Sequence, residues 1–325
     1  MLAAGSPRPR TTARSPRGTS IDSSDSVAGV VITHPGRVVY PKDDLTKIDL
    51  ARYYQQVWPH MHPHLRDRAV SLVRCPGGIA GPHVFQRHLT SEIPGVEQRV
   101  LDVGERSDPD AARKPYPIVK APEGLIGLAQ MNVIELHSWG SRAGAPLKPD
   151  RLIFDLDPGH GAGWDALVES AGLVRALLER LGLACFVKTT GGRGLHVVVP
   201  VKPRATWDEA KAFTRGVAMG LAARHPDLLV AKSGEASRRG RGFCDYLRNE
   251  RLATAVSPFS ARAREGAGVS MPVAWSDLPR IAPLEFTITS APKHLAKRRR
   301  DPWDSLEASA VVLTTRVMKQ LDADD

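Results

Sequence analysis

Residues 151–200 constrain the fold more than any other stretch of the chain. They open with RLIFDLDPG, in which residues 152–156 read as a strand ending at Asp-Pro-Gly. Apolar residues then recur at Trp164, Leu167, Val168, Ala171, Val174, Leu177, Leu178 and Leu181, the spacing of an amphipathic helix, with Gly182 as its stop. A strand over 184–188, a Gly-rich turn and a strand over 195–199 complete the order strand, helix, strand, strand. Thr206 with Glu209 forms a capping box for a further helix to about residue 224. Residues 228–231 and 242–247 read as further strands, so helices should pack on a sheet.

Side chains alternate along a strand, so Leu152, Phe154 and Leu156 share one face and Ile153, Asp155 and Asp157 the other. Two carboxylates two residues apart stand roughly 6.5 to 7 Å apart at Cα, from where both reach metal ions about 3.5 to 4 Å apart. An Asp-x-Asp-Pro-Gly at a strand end serves equally well as a turn, so context must decide. In KTTGGRGLHVVVP (188–200), Gly191, Gly192 and Gly194 let backbone N–H groups approach an anion, and Arg193 adds charge. Two residues past the turn, His196 faces away from Leu195, Val197 and Val199; a plain hairpin with an exposed histidine is the alternative. In GFCDYLRN (242–249), Asp245 shares a strand face with Phe243 and Leu247, where a carboxylate needs an arginine or a metal. Close by lie Arg248, Arg251, Arg262 and Arg264, whose forks match phosphate oxygens.

The rest of the 325 residues bounds the partners. A formal charge of +10 favours a polyanion, and no stretch is apolar enough to span a bilayer or to form a signal peptide, so a cytoplasmic, nucleoid-associated protein without a membrane partner is expected. Cys75, Cys185 and Cys244 are too few and too scattered for a disulfide framework. Cys75 with His83 and His88 would be zinc ligands only at unusual spacing, and His60, His62 and His64 in a Pro-interrupted segment read as a surface loop. Residues 1–27 read as a disordered basic tail, 28–307 as the catalytic unit and 308–325 as a C-terminal helix or tail. Short strands over 28–32 and 69–73 and a helix over 46–58 lead in, and a basic run, Lys293, Lys297, Arg298, Arg299 and Arg300, lies near the end.

These segments together resemble the polymerase domain of the bacterial non-homologous end-joining DNA ligase, in the archaeo-eukaryotic primase superfamily. The carriers are HPGRVVYPKDDLTKIDLARYY (34–54), ELHSWGSR (135–142), RLIFDLDPG, TTGGRGLHVVVP, the long run from Asp245 to Trp275, and DPWDSL (301–306), in that order. The resemblance implies an α+β primase-polymerase fold: two packed α/β modules around mixed or antiparallel sheets, with the active site in the cleft between them. It implies Asp155, Asp157 and Asp245 as ligands of two Mn2+ (or Mg2+) ions. His137, Thr190, Arg193, His196, Arg248, Arg262 and Arg264 fall on nucleotide-binding positions; Lys42 and Lys47 near a DNA 5′-phosphate; Phe85 near the template. Simple strand alternation would turn Arg248 away from Asp245, so its role requires the strand to end or twist first.

The implied reaction is template-directed attack of a primer 3′-hydroxyl on the α-phosphorus of a nucleoside triphosphate, with ribonucleotides favoured, filling gaps at DNA breaks during end joining. The same acids could serve a two-metal nuclease, and the basic surface a non-catalytic DNA-end-binding module. Where the family loop commonly reads S-G-G-K-G-L-H, this chain has Thr190 and Arg193, replacing a compact ammonium by a planar fork. No K-x-D-G ligase motif is present, since residues 47–50 read KIDL, so sealing is expected of a separate ligase, with Ku as a further expected partner.

Overall fold

The computed structural model describes residues 25–104, 113–231, 234 and 238–323. Along the chain run β1 (Ser26–Val27), β2 (Val30–Val31), β3 (Val38–Tyr40), β4 (Leu45–Thr46), α1 (Lys47–Leu65), β5 (Val70–Arg74), β6 (Val84–Gln86), β7 (Val96–Arg99) and β8 (Tyr116–Val119). Then follow α2 (Pro122–Gln130), β9 (Val133–Trp139), β10 (Arg151–Pro158), α3 (Trp164–Arg180), β11 (Phe186–Thr189), β12 (Leu195–Pro200), α4 (Trp207–Arg224) and β13 (Leu229–Val230). The last elements are β14 (Gly242–Asp245), β15 (Thr254–Val256), β16 (Pro272–Val273), α5 (Ala291–Lys297) and α6 (Thr315–Ala323).

Two sheets organise these elements, as the α+β reading expects. One has the order β13-β14-β10-β12-β11-β16 and is antiparallel except where β13 runs parallel to β14. The other, β15-β9-β5-β6, is antiparallel throughout. The alternation in β10 and β12 has the expected outcome: Leu152, Phe154, Leu156, Leu195, Val197 and Val199 are buried in the main core with Leu167, Val174 and Leu178 of α3. Each such fully buried side chain contributes about 1.5 to 3 kcal/mol relative to exposure, so this interface fixes how β10 sits. The reverse face is covered as well, Ile153, Phe186 and Val198 packing with Trp303 and Leu306.

The α4 capping box forms as read, Thr206 N donating to Glu209 Oε2 (2.7 Å) and Glu209 N to Thr206 Oγ1 (3.2 Å). Four expectations need correction. Helix α1 does not stop at Trp58 but continues through Pro59 and Pro63 to Leu65, because burial of Val57, Met61 and Leu65 outweighs the two missing N–H donors. His60, His62 and His64 are therefore helical, and buried His64 packs against the rings of Phe259 and Trp303. At the N-terminus, Ser26 and Val27 pair with Val31 and Val30 in a small ribbon, so order begins before residue 28; residues 1–24 of the expected tail lie outside the described residues. The strand expected over 242–247 ends at Asp245, for a reason described below. At the other end, α6 packs on α4, with Leu321 over Gly216. No helix among the described residues is long and apolar enough to cross a membrane.

Candidate active site

Register brings the three acids together. Asp155 is the direct partner of Asp245 across the β10–β14 ladder, and of His196 across β10–β12, so these side chains and that of Asp157 emerge on one face. His196 is buried, not exposed, and its Nε2 lies 3.1 Å from Asp155 Oδ1. Burial pushes the His196 pKa down to about 4, so at neutral pH the ring is uncharged and donates its Nε2 proton to the carboxylate. Desolvation pushes the Asp155 carboxyl up, but His196 and Arg248 outweigh it and hold the group ionised, well below the usual range. Asp157 differs: desolvation and then the Asp155 charge raise its pKa to about 6. Desolvation raises Asp245 as well.

Arg248 reaches this face because β14 ends at Asp245. Its Nε lies 3.1 Å from Asp155 Oδ2 and 3.5 Å from Asp245 Oδ2, which meets the condition the sequence imposed on it. The turn that follows is held by Leu247 N donating to Asp245 Oδ1 at 2.7 Å.

The Gly-rich loop folds against the acids. Thr190 N donates to Gly194 O at 3.0 Å, and Thr190 Oγ1 both donates to Gly194 O and accepts from Gly194 N. The Thr190 hydroxyl is thus engaged within the loop and does not stand free for a ligand. Gly191 has φ +69°, and a Cβ on Gly194 would stand 2.8 Å from Asp157 Oδ1, so both positions require glycine. Arg193 is exposed, and among the described residues neither it nor Arg264 has a carboxylate within ion-pairing distance.

Sequence reasoning missed the group that organises the far wall. Buried Glu135 of β9 accepts from His137 Nε2 (2.7 Å), Arg262 Nε (3.0 Å) and Ala263 N (2.8 Å). Desolvation raises its carboxyl, yet these donors lower it to about 2. Arg262 also donates to Thr190 O at 2.6 Å, tying this wall to the loop. Behind it, Tyr40 donates to Arg262 O (3.0 Å), Tyr53 to Phe259 O (2.7 Å) and Tyr54 to Ile134 O, while Tyr54 accepts from Ala261 N (3.2 Å). Strand alternation puts Glu135 on the face of His137 two residues on, a signal that could have found it. Arg238 was missed as well; its guanidinium stacks on Phe243 at 3.5 Å and lines the site.

Together His137, Asp155, Asp157, Thr190, Arg193, His196, Arg238, Arg248, Arg262 and Arg264 border a cavity of about 290 Å³. An adjoining hollow is bordered by Asp245, Arg248, His137 and Phe85, whose ring is 52% exposed and stands edge-on to His137 at 6.3 Å. Lys42 and Lys47 border neither: Lys42 pairs with Glu265 at 2.7 Å, and buried Lys47 donates to Thr33 O at 3.1 Å. Arg251, read as a phosphate candidate, lies beside Gly104 instead. The zinc alternative finds no support, since His83 bonds Ile79 O and His88 bonds Pro115 O.

The donor set suits a hard divalent cation: three carboxylates share one face, and among the described residues Asp157 has no ion-pair partner, although its charge is strained by burial. The acids do not form a closed cage. Among the described residues no group of three or more His, Cys, Asp or Glu side chains converges as a metal site, and the Arg248 guanidinium bridges Asp155 and Asp245.

Comparison with known proteins places this geometry. The sequence model of the LigD primase-polymerase domain matches residues 46–303. The multifunctional non-homologous end joining protein LigD of Pseudomonas aeruginosa is 36% identical over 302 residues, covering 92% of this chain and 35% of the relative. Its counterpart in Mycolicibacterium smegmatis is 33% identical over 261 residues, covering 79% and 34%. This chain therefore spans about a third of the length of these curated relatives. The polymerase domain from Mycobacterium tuberculosis Ligase D in complex with DNA superposes with a TM-score of 0.78 at 30% identity, covering 86% of this chain and 99% of that one.

Proposed function

This chain belongs to the LigD primase-polymerase family, and on that footing we propose that it adds nucleotides, directed by a template, to primer 3′ ends at DNA breaks or gaps. The observation that carries the reading is a pairing of opposites: three carboxylates share one sheet face, Asp155 and Asp157 in a cavity bordered by Arg193, Arg238, Arg248, Arg262 and Arg264, and Asp245 in the hollow that adjoins it. A nuclease needs the acids; the arginines beside them, of which Arg193 and Arg264 have no carboxylate partner among the described residues, suit a triphosphate.

Asp155, Asp157 and Asp245 would hold two Mn2+ or Mg2+ ions, which when bound lower the pKa of the primer hydroxyl and offset charge on the leaving pyrophosphate. Arg193 and Arg264, without carboxylate partners among the described residues, clamp the triphosphate. Arg262 is held by Glu135 and Thr190 O, so it meets the ligand without reorganising. Neutral His196 keeps Asp155 oriented and ionised by donating Nε2–H, and neutral His137 presents its ring beside Phe85, a surface on which a base can stack. Ribonucleotides are the favoured substrates, and gapped or broken DNA with a 5′-phosphate, read through Lys42 and Lys47, the favoured partner. Ku and a separate ligase would act with it during end joining in the cytoplasm, at the nucleoid.

A labelled primer on gapped DNA, incubated with Mn2+ and nucleoside triphosphates, tests this reading. Template-directed lengthening supports it. Shortening regardless of nucleotide would make the protein a nuclease, and neither change, with DNA retained, would leave only an end-binding module.

A further inference from the structure

On β10, Ile153, Asp155 and Asp157 direct their backbone groups toward β14, which pairs in register from Pro158 and Gly242 to Asp155 and Asp245. One further step of that ladder would set Leu247 opposite Ile153. The chain does not take it. Instead the carboxamide of Asn249, 1% exposed, accepts from Ile153 N at 2.7 Å and donates to Ile153 O at 2.7 Å and to Tyr246 O at 3.0 Å. One side chain thus presents to Ile153 the acceptor and donor that a continuing strand would have presented.

We propose that Asn249 is a positioning residue for nucleotidyl transfer: its carboxamide replaces the missing strand pair, releases the chain after Asp245, and so sets Arg248 over the carboxylates. In an uninterrupted strand, Arg248, three residues past Asp245, would face the Phe154 and Leu156 side, which is closed core. A plain break would leave Ile153 N–H and C=O buried and unpaired, at a cost that disfavours ending the strand there. Asn249 removes that penalty, and Asn249 N donating to Tyr246 O at 3.1 Å closes the same turn. Arg248 then meets Asp155 and Asp245, and the adjoining strand β15 begins at Thr254 on the cavity wall. This inference rests on the cavity being a nucleotidyl-transfer site, and Asn249 itself touches no reacting atom.

The test is a double-mutant cycle on primer extension, with kcat and KM for the nucleotide measured for the wild type, Asn249→Ala, Arg248→Ala and the double variant, alongside urea unfolding of each. Asn249→Ala should lower kcat/KM on the order of 100-fold, as misplacement of a catalytic contact does. In the Arg248→Ala background the same change should have almost no further kinetic effect, while its loss of stability persists in both. Asn249→Asp, which keeps the acceptor for Ile153 N, covers the case that the alanine variant does not fold, and its kinetic loss should vanish likewise in the Arg248→Ala background. An equal fold-loss in both backgrounds, or wild-type kcat/KM without Asn249, would overturn the proposal. A wild type that fails to extend any primer would instead remove the functional reading on which it stands.

Discussion

Asp155 and Asp245 are direct partners across the β10–β14 ladder, with the single guanidinium of Arg248 spanning their carboxylates. Two acids whose Cα atoms face each other on adjacent strands repel unless a cation stands between them. Here the protein supplies that cation itself. Divalent ions binding at the same oxygens would compete with Arg248, so Arg248→Ala should bind Mn2+ more tightly in the absence of nucleotide while losing kcat/KM for extension. Calorimetric titration with Mn2+ checks the first half; equal or weaker affinity in the variant would show that Arg248 does not occupy the ions' place.

The pKa of Asp157, raised to about 6 against a usual value of about 3.9, gives a pH dependence with a definite sign. An acid whose pKa rises on folding binds its proton more tightly in the folded state. Its contribution to stability is present at low pH and is lost as pH rises through about 6. Cation binding needs the ionised form, so Mn2+ affinity should increase from pH 5 to pH 7 and then level off, and Asp157→Asn should flatten the curve. An affinity independent of pH in the wild type would contradict the assignment.

Glu135 accepts from three donors in a buried setting, and its removal strands Arg262. Breaking one side of such a pair costs about 3 to 5 kcal/mol. Glu135→Ala should therefore unfold at markedly lower urea, and at permissive temperature its KM for nucleotide should rise more than its kcat falls, because Arg262 and His137 lose orientation. An unchanged KM would leave Glu135 a purely structural residue.

At Gly194 a Cβ would stand 2.8 Å from Asp157 Oδ1 and 2.9 Å from Leu156 O. Gly194→Ala should displace the Asp157 carboxylate and reduce extension by about 10- to 100-fold, the range typical of disturbing a ligand's support, with DNA binding retained. Gel-shift and extension assays on the same preparation check both halves.

Burial lowers the pKa of Lys47 to about 8, with Arg37 adding to the effect. A lysine depressed in this way loses its charge as pH rises through 8, so any preference for a 5′-phosphate that depends on Lys47 should fade between pH 7 and pH 9. Lys47→Arg should keep it. A preference that persists in Lys47→Ala would remove the residue from that role.

Sequence showed the acids and the loop well because strand alternation is a local rule: Asp155, Asp157 and His196 needed only their own neighbours to be placed on a face. Alternation also puts Asp245 on the shared face, but for an incomplete reason, since it carries the strand on to Leu247. The side chain that ends it, Asn249, acts on Ile153, 96 residues away, and no local pattern records such a bond. Local pattern ends helix α1 at Trp58 for a similar cause, as Pro59 and Pro63 signal a break that only tertiary burial of Met61 and Leu65 overrules. Glu135 is legible by alternation from His137, yet nothing local marks it, because a lone acid on an apolar strand resembles many structural ones.

Nucleotidyl transfer at a primer end should depend on both Asp155 and Asp157. Extension of a labelled primer on gapped DNA, compared between the wild type and the Asp155→Ala/Asp157→Ala double variant at matched DNA occupancy, tests it most directly. The wild type should extend the primer as the template directs, and the double variant should lose extension by well over the about 10- to 100-fold expected for a supporting residue, with DNA binding intact. Extension that persists in the double variant would contradict it.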